Sequence, residues 1–412
     1  MARRVVITGL GTVCPLATGT ADYWQGLLAG RSGIGPIELI DTSAFKVKFG
    51  GEVKNFAPDK LFDARSVRRM DRFAQFAMVA ADEALKDAAF DLAKLDPTRC
   101  GAIVGSGIGG LTEYEEQHTK FMQGGGPRGI SPFVIPKMMP NAAAGNISIH
   151  YGLGGPSTAV STACASAANA IADALRAIQR DEADLMVTGG AEAAITYMGL
   201  GGFISARALS QRNDAPQAAS RPFDKDRDGF VLSEGSGILV LEEYEHARKR
   251  GARIYAELLG AGYTSDAYNI TAPHPDGLGA ARAMRMALAD AKIDPSQVDY
   301  VNAHGTSTEL GDAAETLAVK KVFGDHARKL AISSTKSMIG HLLGASGGVE
   351  LIACVLSIRD RVVHPTINYH TPDPACDLDY VPNTAREMKV RYAISNSFGF
   401  GGHNASLVVG AV

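Results

Sequence analysis

Three residues have the types and positions expected of a catalytic nucleophile and two side chains that assist it. Cys164 lies in the run Ser161 to Ser166, just before a predicted helix, where unpaired backbone N–H groups and the helix dipole favour thiolate over thiol. His304 and His341 follow predicted strands, at the sheet edge where open α/β folds bind ligands. Each residue alone is also compatible with a buried structural role. Together they predict a cysteine nucleophile served by two imidazoles.

The elements that must position these residues are strands and helices in alternation. Short β-branched runs that end in glycine predict strands at 5–11, 101–107, 185–190, 237–242, 255–263, 298–305, 329–334, 391–397 and 405–411. Helical patterns cover 65–85, 165–180, 280–291 and 347–359. This alternation predicts an α/β fold with largely parallel strand pairing.

Two segments of the chain resemble each other. Residues 161–180 and 340–360 each begin with a turn of small residues and continue as a long apolar helix. A helix that is apolar on nearly all sides is expected between two sheets. We therefore expect a duplication into halves 1–250 and 251–412 that pack as one body, against the simpler alternative that two buried helices share a composition.

Composition excludes several classes of protein. The chain has 412 residues, of which 46% are hydrophobic and 21% charged, with a net charge of −3, so it is globular and carries no global signal for nucleic acid. Its five cysteines include no CxxC pair, which predicts neither a disulfide framework nor a zinc site and fits a reducing compartment. A poor signal-peptide core and the lack of an apolar run of about 20 residues predict a soluble, cytoplasmic protein without a membrane partner.

Four segments carry a resemblance to a known family: PSTAVSTACASAANAI, VNAHGTSTELGD, SSTKSMIGHLLGASGGVE and NSFGFGGHNASL. Together they are similar to the β-ketoacyl-acyl carrier protein synthases of fatty-acid elongation, closest to the type II enzymes, over practically the whole chain. A Cys-His-His set, where the initiating synthases have Cys-His-Asn, is typical of the elongating branch. The resemblance implies a thiolase fold, which is a duplicated five-layer αβαβα architecture, and a homodimer.

The resemblance also implies a decarboxylative Claisen condensation of malonyl-carrier protein with an acyl group held on the cysteine. The catalytic residues that it implies are Cys164, His304, His341, Lys336, Glu350 and Phe400. The two histidines, when neutral, would donate to the enolate oxygen, and the lysine would keep them neutral while it pairs with the glutamate. The backbone N–H groups of the cysteine and of the phenylalanine would hold the second oxyanion.

Substrate contacts are implied in the same way. Thr306 and Thr308 match hydroxyls that hold the pantetheine arm, and Ile108, Phe203 and Phe398 match residues around the acyl chain. The phenylalanine in GFGG would also act as a gate, since flanking glycines free its backbone. No metal and no resident cofactor are expected because phosphopantetheine arrives on the carrier protein. A structural monovalent cation near Asn302, Glu350 and Asn396 stays open.

A basic stripe suggests where the carrier protein docks. Arg65, Arg68, Arg69 and Arg72 fall at i, i+3, i+4 and i+7, so one continuous helix would present them on a single face. Acyl carrier proteins are acidic, and the first three arginines match the family's docking positions, with Arg207 as a weaker addition. A solvated helix face is the alternative explanation.

Two other motifs favour different functions. Gly105, Gly107 and Gly110 follow a strand in the GxGxxG spacing of a nucleotide loop, but no acidic residue about 20 positions later ends a second strand. GASGG around Ser346 fits the GxSxG motif of serine hydrolases, yet it lies in a predicted helix start and not on a strand-to-helix elbow. A serine hydrolase that uses Ser346 is therefore the alternative from another enzyme class.

Three further alternatives are a binding module and two relatives. Asp224, Asp226 and Asp228 begin like a calcium loop, but its twelfth position is Gly235 and the glutamate comes one residue early, at Glu234. A chain-length factor would keep the fold and lack the nucleophile, which is present here. A polyketide ketosynthase would share the core chemistry, so it stays the nearest alternative.

Overall fold

The computed structural model describes residues 3–412. The strands of the first half are β1 (Val5–Cys14), β2 (Ala17–Thr18), β3 (Gly35–Pro36), β4 (Phe49–Gly50), β5 (Cys100–Gly105), β6 (Ser157–Val160), β7 (Leu185–Glu192) and β8 (Gly235–Glu243). Those of the second half are β9 (Ala256–Ser265), β10 (Tyr300–Asn302), β11 (Ala331–Ser333), β12 (Val362–Val363), β13 (Arg386–Glu387), β14 (Tyr392–Gly399) and β15 (His403–Gly410).

The helices connect these strands. In the first half they are α1 (Thr20–Leu28), α2 (Ala64–Arg68), α3 (Arg72–Asp87), α4 (Leu111–Lys120), α5 (Val134–Met138), α6 (Ala142–Tyr151), α7 (Ser166–Gln179), α8 (Tyr197–Ser205) and α9 (Tyr244–Lys249). In the second half they are α10 (Leu278–Ala291), α11 (Glu309–Phe323), α12 (Lys336–Ile339) and α13 (Ser346–Asp360).

The main sheet repeats one topology twice. From the centre outward, the first half has the order β1-β8-β7-β5-β6 and the second half β9-β15-β14-β10-β11. Each order takes the five strands of its half in the same sequence: first, fifth, fourth, second and third. The antiparallel pairing of β1 with β9 joins the halves at the centre. The expected duplication is therefore visible in the strand order, while the exact boundary at residue 250 stays a prediction.

Five layers follow from the packing. Helices α7 and α13 contact each other, and each packs against strands of both halves. On the outer side of the first half, α3 packs on β1, β8 and β7, and α6 packs on α3 and β5. On the outer side of the second half, α10 packs on β9 and β15, and α11 packs on α10. Every residue of α13 from Ser346 to Ile358 is buried, as expected for a helix between two sheets.

The prediction of largely parallel pairing is wrong. Strand β5 pairs parallel with β6 and β7, and β10 pairs parallel with β11 and β14. However, β8 and β15 run antiparallel to both of their neighbours. In each half, the last strand lies beside the fourth strand and runs in the opposite direction. Each half of the sheet therefore contains both parallel and antiparallel pairs.

The predicted helix over 65–85 is also wrong in one respect, because it is two helices. Asp63 caps α2 through the N–H groups of Arg65 and Ser66, and Asp71 caps α3 through that of Phe73. A capping aspartate has extended backbone, so the chain turns between α2 and α3. Among residues 3–412, no helix is long and apolar enough to span a bilayer.

Candidate active site

A cavity of about 410 Å³ opens where the strand ends of both halves meet. Nine of the residues predicted for the site line it: Cys164, Phe203, Arg207, His304, Thr306, Thr308, His341, Phe398 and Phe400. The nucleophile and both imidazoles therefore face one space, although they come from turns far apart in the chain.

A tight turn between β6 and α7 presents Cys164. Ala163, just before it, has a φ of +49°, a left-handed conformation that costs free energy for a residue with a Cβ atom. The Ser166 hydroxyl accepts the Thr162 N–H at 2.9 Å and donates to the Ala163 carbonyl at 2.6 Å. One serine thus closes the turn that holds the cysteine at the cavity wall.

The resting cysteine is a thiol. Burial raises the pKa of Cys164 to about 12, against the opposing effects of the Lys336 charge and of a hydrogen bond from the Phe400 N–H. The charges of Glu192 and Glu350 raise the same pKa. The sequence-based expectation of a thiolate is wrong for this state, because burial outweighs the positive helix end.

Both histidines are neutral and face each other. The ring centroids of His304 and His341 lie 5.3 Å apart, with the rings nearly perpendicular. Burial and the Lys336 charge lower both pKa values well below the ordinary histidine value. His341 Nδ1 lies 2.9 Å from Ser346 Oγ, whereas His304 Nδ1 is buried with no hydrogen-bond partner among the described residues.

The expected ion pair lies behind the histidines. Lys336 Nζ contacts Glu350 Oε1, and both side chains are buried. Burial raises the pKa of Glu350, while the Lys336 charge acts against that rise. Neither side chain lines the cavity, so the pair acts on the site through its electric field.

The turn between β14 and β15 places Phe400 beside the cysteine. Gly401 and Gly402 have φ values of +85° and +73°, which glycine adopts without strain. The Phe400 ring lies 6.4 Å from that of Phe203, and both line the cavity. A Cβ atom on Gly399 would lie 3.0 Å from the Cys164 nitrogen, so glycine there keeps the space beside that N–H open.

Of the residues expected to contact the pantetheine arm and the acyl chain, all but Ile108 line the cavity. Thr306 and Thr308 hydroxyls lie 3.0 Å apart on the cavity wall. Ile108 does not line the cavity and is 40% exposed. The Ile108 N–H donates to the buried Glu192 carboxylate, and this hydrogen bond fixes the Ile108 backbone. The Ile108 side chain lies at the surface of this chain.

The predicted basic stripe is shorter than expected. Arg65, Arg68 and Arg69 are exposed. Arg72 instead begins α3 and donates to both carboxylate oxygens of the buried Glu234. Arg72 therefore does not belong to the stripe, because the Asp71 cap ends the shared helical face.

Sequence reasoning missed two buried carboxylates. Glu315 accepts the N–H groups of His304 at 2.9 Å and Gly305 at 2.8 Å, and so fixes the histidine backbone. Glu192 binds backbone N–H groups of both halves, including that of Gly344 at 3.0 Å. The only signal in the sequence was an acidic residue at a strand end or inside a helix, which is common.

The three rival motifs have structural roles. Glu192 accepts the N–H groups of Gly107 and Ile108, where a nucleotide phosphate would bind. The Asp224 carboxylate accepts three backbone N–H groups, at 2.6, 2.7 and 2.9 Å from the nitrogens. Ser346 is 1% exposed and does not line the cavity, which argues against a serine nucleophile.

Comparisons with known proteins agree with this geometry. The model of the β-ketoacyl synthase N-terminal domain matches residues 2–247, and that of the C-terminal domain matches residues 255–370. The 3-oxoacyl-[acyl-carrier-protein] synthase 2 of Synechocystis is 53% identical, with 98% of this chain and 97% of the relative covered. The Coxiella burnetii protein of the same name is 51% identical, with 100% and 99% covered.

A solved structure gives the same result for the fold. It is of a type II PKS acyl-carrier protein in complex with its ketosynthase bound to the hexaketide, and it matches with a TM-score of 0.93 at 38% identity, with 100% of both chains covered. The expected thiolase fold is confirmed. With both family models matched in order and full-length relatives above half identity, this chain belongs to the β-ketoacyl synthase family.

Proposed function

We propose that this chain is an elongating β-ketoacyl-acyl carrier protein synthase that lengthens acyl chains by two carbons. It condenses malonyl-carrier protein with an acyl group held as a thioester on Cys164. The observation that carries this function is the convergence of Cys164, His304 and His341 on one cavity. The names of the relatives that are more than 50% identical support the same activity.

The first half-reaction transfers the acyl group. The Cys164 sulfur attacks the carrier thioester, its S–H proton passes to the departing pantetheine sulfur, and a new thioester of similar energy forms. The proton must leave during the attack because the buried thiol has a high pKa. The N–H groups of Cys164 and Phe400 stabilise the oxyanion of the tetrahedral intermediate, in the space that Gly399 leaves open.

The second half-reaction forms the carbon–carbon bond. Malonyl thioester loses carbon dioxide, and the electron pair of the broken bond becomes an enolate. Neutral His304 and His341 donate ring N–H groups to the enolate oxygen. The enolate carbon then attacks the acyl-Cys164 carbonyl, the cysteine leaves as thiolate, and it regains a proton from solvent.

The proposed tautomer of His341 involves its neighbour Ser346, whose Oγ lies 2.9 Å from Nδ1. With the hydroxyl as the donor of this pair, the ring proton lies on Nε2. A histidine with its proton on the nitrogen away from the serine can donate to a substrate oxygen. Lys336 keeps both rings neutral through its charge, as the lowered pKa values indicate.

The carrier protein docks beside the cavity mouth in this proposal. Exposed Arg65, Arg68 and Arg69 offer positive charge to an acidic partner. Arg207 is exposed and lines the cavity, and the two threonines on the cavity wall would contact the pantetheine arm. The related ketosynthase has been solved with its acyl carrier protein. Changing the three arginines to alanine should raise KM for carrier-bound substrates several-fold, leave KM for free pantetheine thioesters unchanged, and weaken the salt dependence of KM.

A second copy of the chain is the proposed partner in a homodimer. Strand β6 forms an open edge of the main sheet, and such an edge favours pairing with another strand. Helix α6 packs on β6, and its Ile149 is 84% exposed. Ile135 on α5, which contacts α6, is 54% exposed, and Met122 is 67% exposed. The proposed compartment is the cytoplasm, which is consistent with five free cysteines.

No resident cofactor takes part in the proposed reaction. A structural monovalent cation is compatible with two of the three residues expected to hold it. Asn302 Oδ1 and Glu350 Oε2 are buried oxygens without a hydrogen-bond donor among residues 3–412. Asn396 is less suitable, because its amide already bonds to Glu315 and Ser406. The cation would balance buried negative charge.

The test supplies acyl and malonyl carrier proteins of defined length. Mass spectrometry should find the acyl adduct on Cys164, followed by a 3-oxoacyl product that is two carbons longer. A product of different chemistry, or turnover without the adduct, would contradict the proposal.

A polyketide ketosynthase is the second candidate because the solved relative holds a hexaketide. Saturated and 3-oxoacyl primers distinguish the two functions. An elongating fatty-acid enzyme should prefer the saturated primer, whereas a polyketide enzyme should extend its own 3-oxo product repeatedly.

A further inference from the structure

The last residue of β7 is a buried carboxylate surrounded by donors. Glu192 is 0% exposed. It accepts the N–H groups of Gly107 at 2.7 Å, Ile108 at 3.1 Å and Gly344 at 3.0 Å. The Ser106 hydroxyl lies 2.9 Å from Oε1, which also accepts the Ile108 N–H, while Oε2 accepts the N–H groups of Gly107 and Gly344. These partners come from the loop after β5 and from the turn before α13, so the carboxylate joins the two halves.

The hydrogen bonds identify the ionisation state of Glu192. The Ser106 hydroxyl donates to Glu192 at 2.9 Å while its oxygen accepts the Gly109 N–H at 3.0 Å. All four partners are therefore donors, and a protonated carboxyl would have no acceptor for its hydrogen. Burial raises the pKa of Glu192, while the four donors act in the opposite direction. The arrangement is that of a carboxylate.

The duplication relates this carboxylate to the catalytic cysteine. Helices α7 and α13 begin at Ser166 and Ser346, and the third residue before each, Ala163 and Leu343, has a φ of +49°. The two turns therefore have the same backbone form. The residue after each left-handed position is Cys164 in the first turn, and Gly344 holds the matching place in the second.

The strands beside these turns match as well. Strands β7 and β14 are both eight residues long and occupy the same place in their halves. Their last residues are Glu192 and Gly399. Gly399 leaves the space beside the Cys164 N–H empty, whereas the Glu192 side chain fills the matching space beside the Gly344 N–H.

We propose that Glu192 is a positioning residue: at the second turn, its carboxylate occupies the place that a substrate oxygen takes beside the Cys164 N–H. The comparison with substrate rests on the proposed oxyanion site. Glu192 thereby holds the turn that follows His341 against the loop after β5. A Cβ atom on Gly107 or Gly344 would lie 2.8 or 2.6 Å from a carboxylate oxygen, so glycine at both positions makes room for this anion.

Glu192 also acts on the cysteine through its charge. Its negative charge raises the pKa of Cys164. Removal of that charge should therefore make the thiol more acidic, although no contact with the sulfur is lost. A purely structural residue would not have this effect, so the readout separates the two roles.

The experiment compares Glu192→Gln with Glu242→Gln in the full-length protein. Glu242 is equally buried but pairs with Leu185 at the opposite end of β7. Iodoacetamide alkylation of Cys164 is followed against pH, and kcat and KM are measured with defined carrier substrates. For Glu192→Gln we expect the pH profile of alkylation to shift to a pH about one unit lower. We also expect kcat to fall roughly 10–100-fold with little change in KM. Glu242→Gln should leave the profile unchanged.

Two results would overturn the proposal. One is a folded Glu192→Gln protein with the wild-type profile and kcat; the other is an equal change in both variants. If Glu192→Gln does not fold, Glu192→Asp is the deciding variant. Aspartate keeps the negative charge, but its shorter side chain moves the carboxylate away from the Gly344 N–H. Its kcat should fall while the alkylation profile stays, and an unchanged kcat would contradict the proposal. Alkylation of Cys164 does not depend on condensation activity. The alkylation profile therefore tests the role of Glu192 even if the proposed function is wrong.

Discussion

The two turns that begin α7 and α13 have one backbone form and different tasks. In the first, the Ser166 hydroxyl closes the turn around Cys164. In the second, the equivalent Ser346 hydroxyl turns outward from its own backbone to the ring of His341. In the proposed mechanism, the first half thus supplies the nucleophile, and the second half supplies the imidazole donors to the enolate. The duplicated scaffold therefore carries different side chains, with different proposed roles, at equivalent positions.

The largest test of this division is removal of the nucleophile. Cys164→Ala should lower condensation by roughly 10⁴-fold or more, because no acyl thioester can form. Loss of the acyl adduct in intact-mass spectra is the measurement. The matched control is Cys354→Ala in α13, whose thiol is buried and does not line the cavity. Condensation at the wild-type rate by Cys164→Ala would contradict the proposed role of Cys164 as the nucleophile that the first half supplies.

Changes in the second half should affect a different step. His304→Ala or His341→Ala should lower condensation roughly 10²–10³-fold, since each removes a donor to the enolate. The acyl adduct on Cys164 should still form, because the proposed acyl transfer uses the cysteine and the N–H groups of Cys164 and Phe400 and neither imidazole. Separate assays of adduct formation and carbon dioxide release distinguish the steps. Equal loss of both activities would mean that the halves do not divide the reaction.

The two equivalent serines allow a finer comparison. Ser346→Ala should lower kcat about ten-fold or less, because His341 loses the partner that fixes its tautomer. Ser166→Ala should instead lower the free energy of unfolding by about 1 kcal/mol, because the turn loses the hydroxyl that bonds Thr162 and Ala163. Steady-state kinetics and chemical denaturation of both variants test the difference. The same loss in both would contradict distinct tasks.

The smallest expected effect is that of mildly acidic pH on the second half. His304 and His341 have pKa values well below the ordinary value of 6.5, so both stay neutral as pH falls through that value. Decarboxylation of malonyl thioester by acylated enzyme should change less than about two-fold between pH 8 and pH 6.5. Alkylation of free Cys164 should instead rise steadily as the pH increases from 6.5 to 8 and beyond, because the thiolate fraction grows toward the raised pKa of the thiol. A histidine transition near pH 6.5 in decarboxylation would contradict the neutral pair.

Sequence reasoning succeeded where chemistry follows from strand ends. Cys164, His304 and His341 lie where the α/β pattern places ligand sites, so their convergence was predictable. The break at Asp71 was not, since a capping aspartate resembles any polar residue on a helix face. Glu192 and Glu315 were not predicted because their partners are backbone N–H groups of distant loops, which leave no residue-type pattern. The direction of β8 and β15 was missed because β-branched runs do not encode strand orientation.

The turn that carries Phe400 links access to reactivity. Its ring stands at the acyl cavity, and its N–H bonds to the Cys164 sulfur and lowers the pKa of that thiol. If this turn moves to admit an acyl chain, as the gate hypothesis requires, the Phe400 N–H would leave the sulfur and the pKa of Cys164 would rise. Entry of the chain and reactivity of the thiol would then be coupled through a single backbone N–H group.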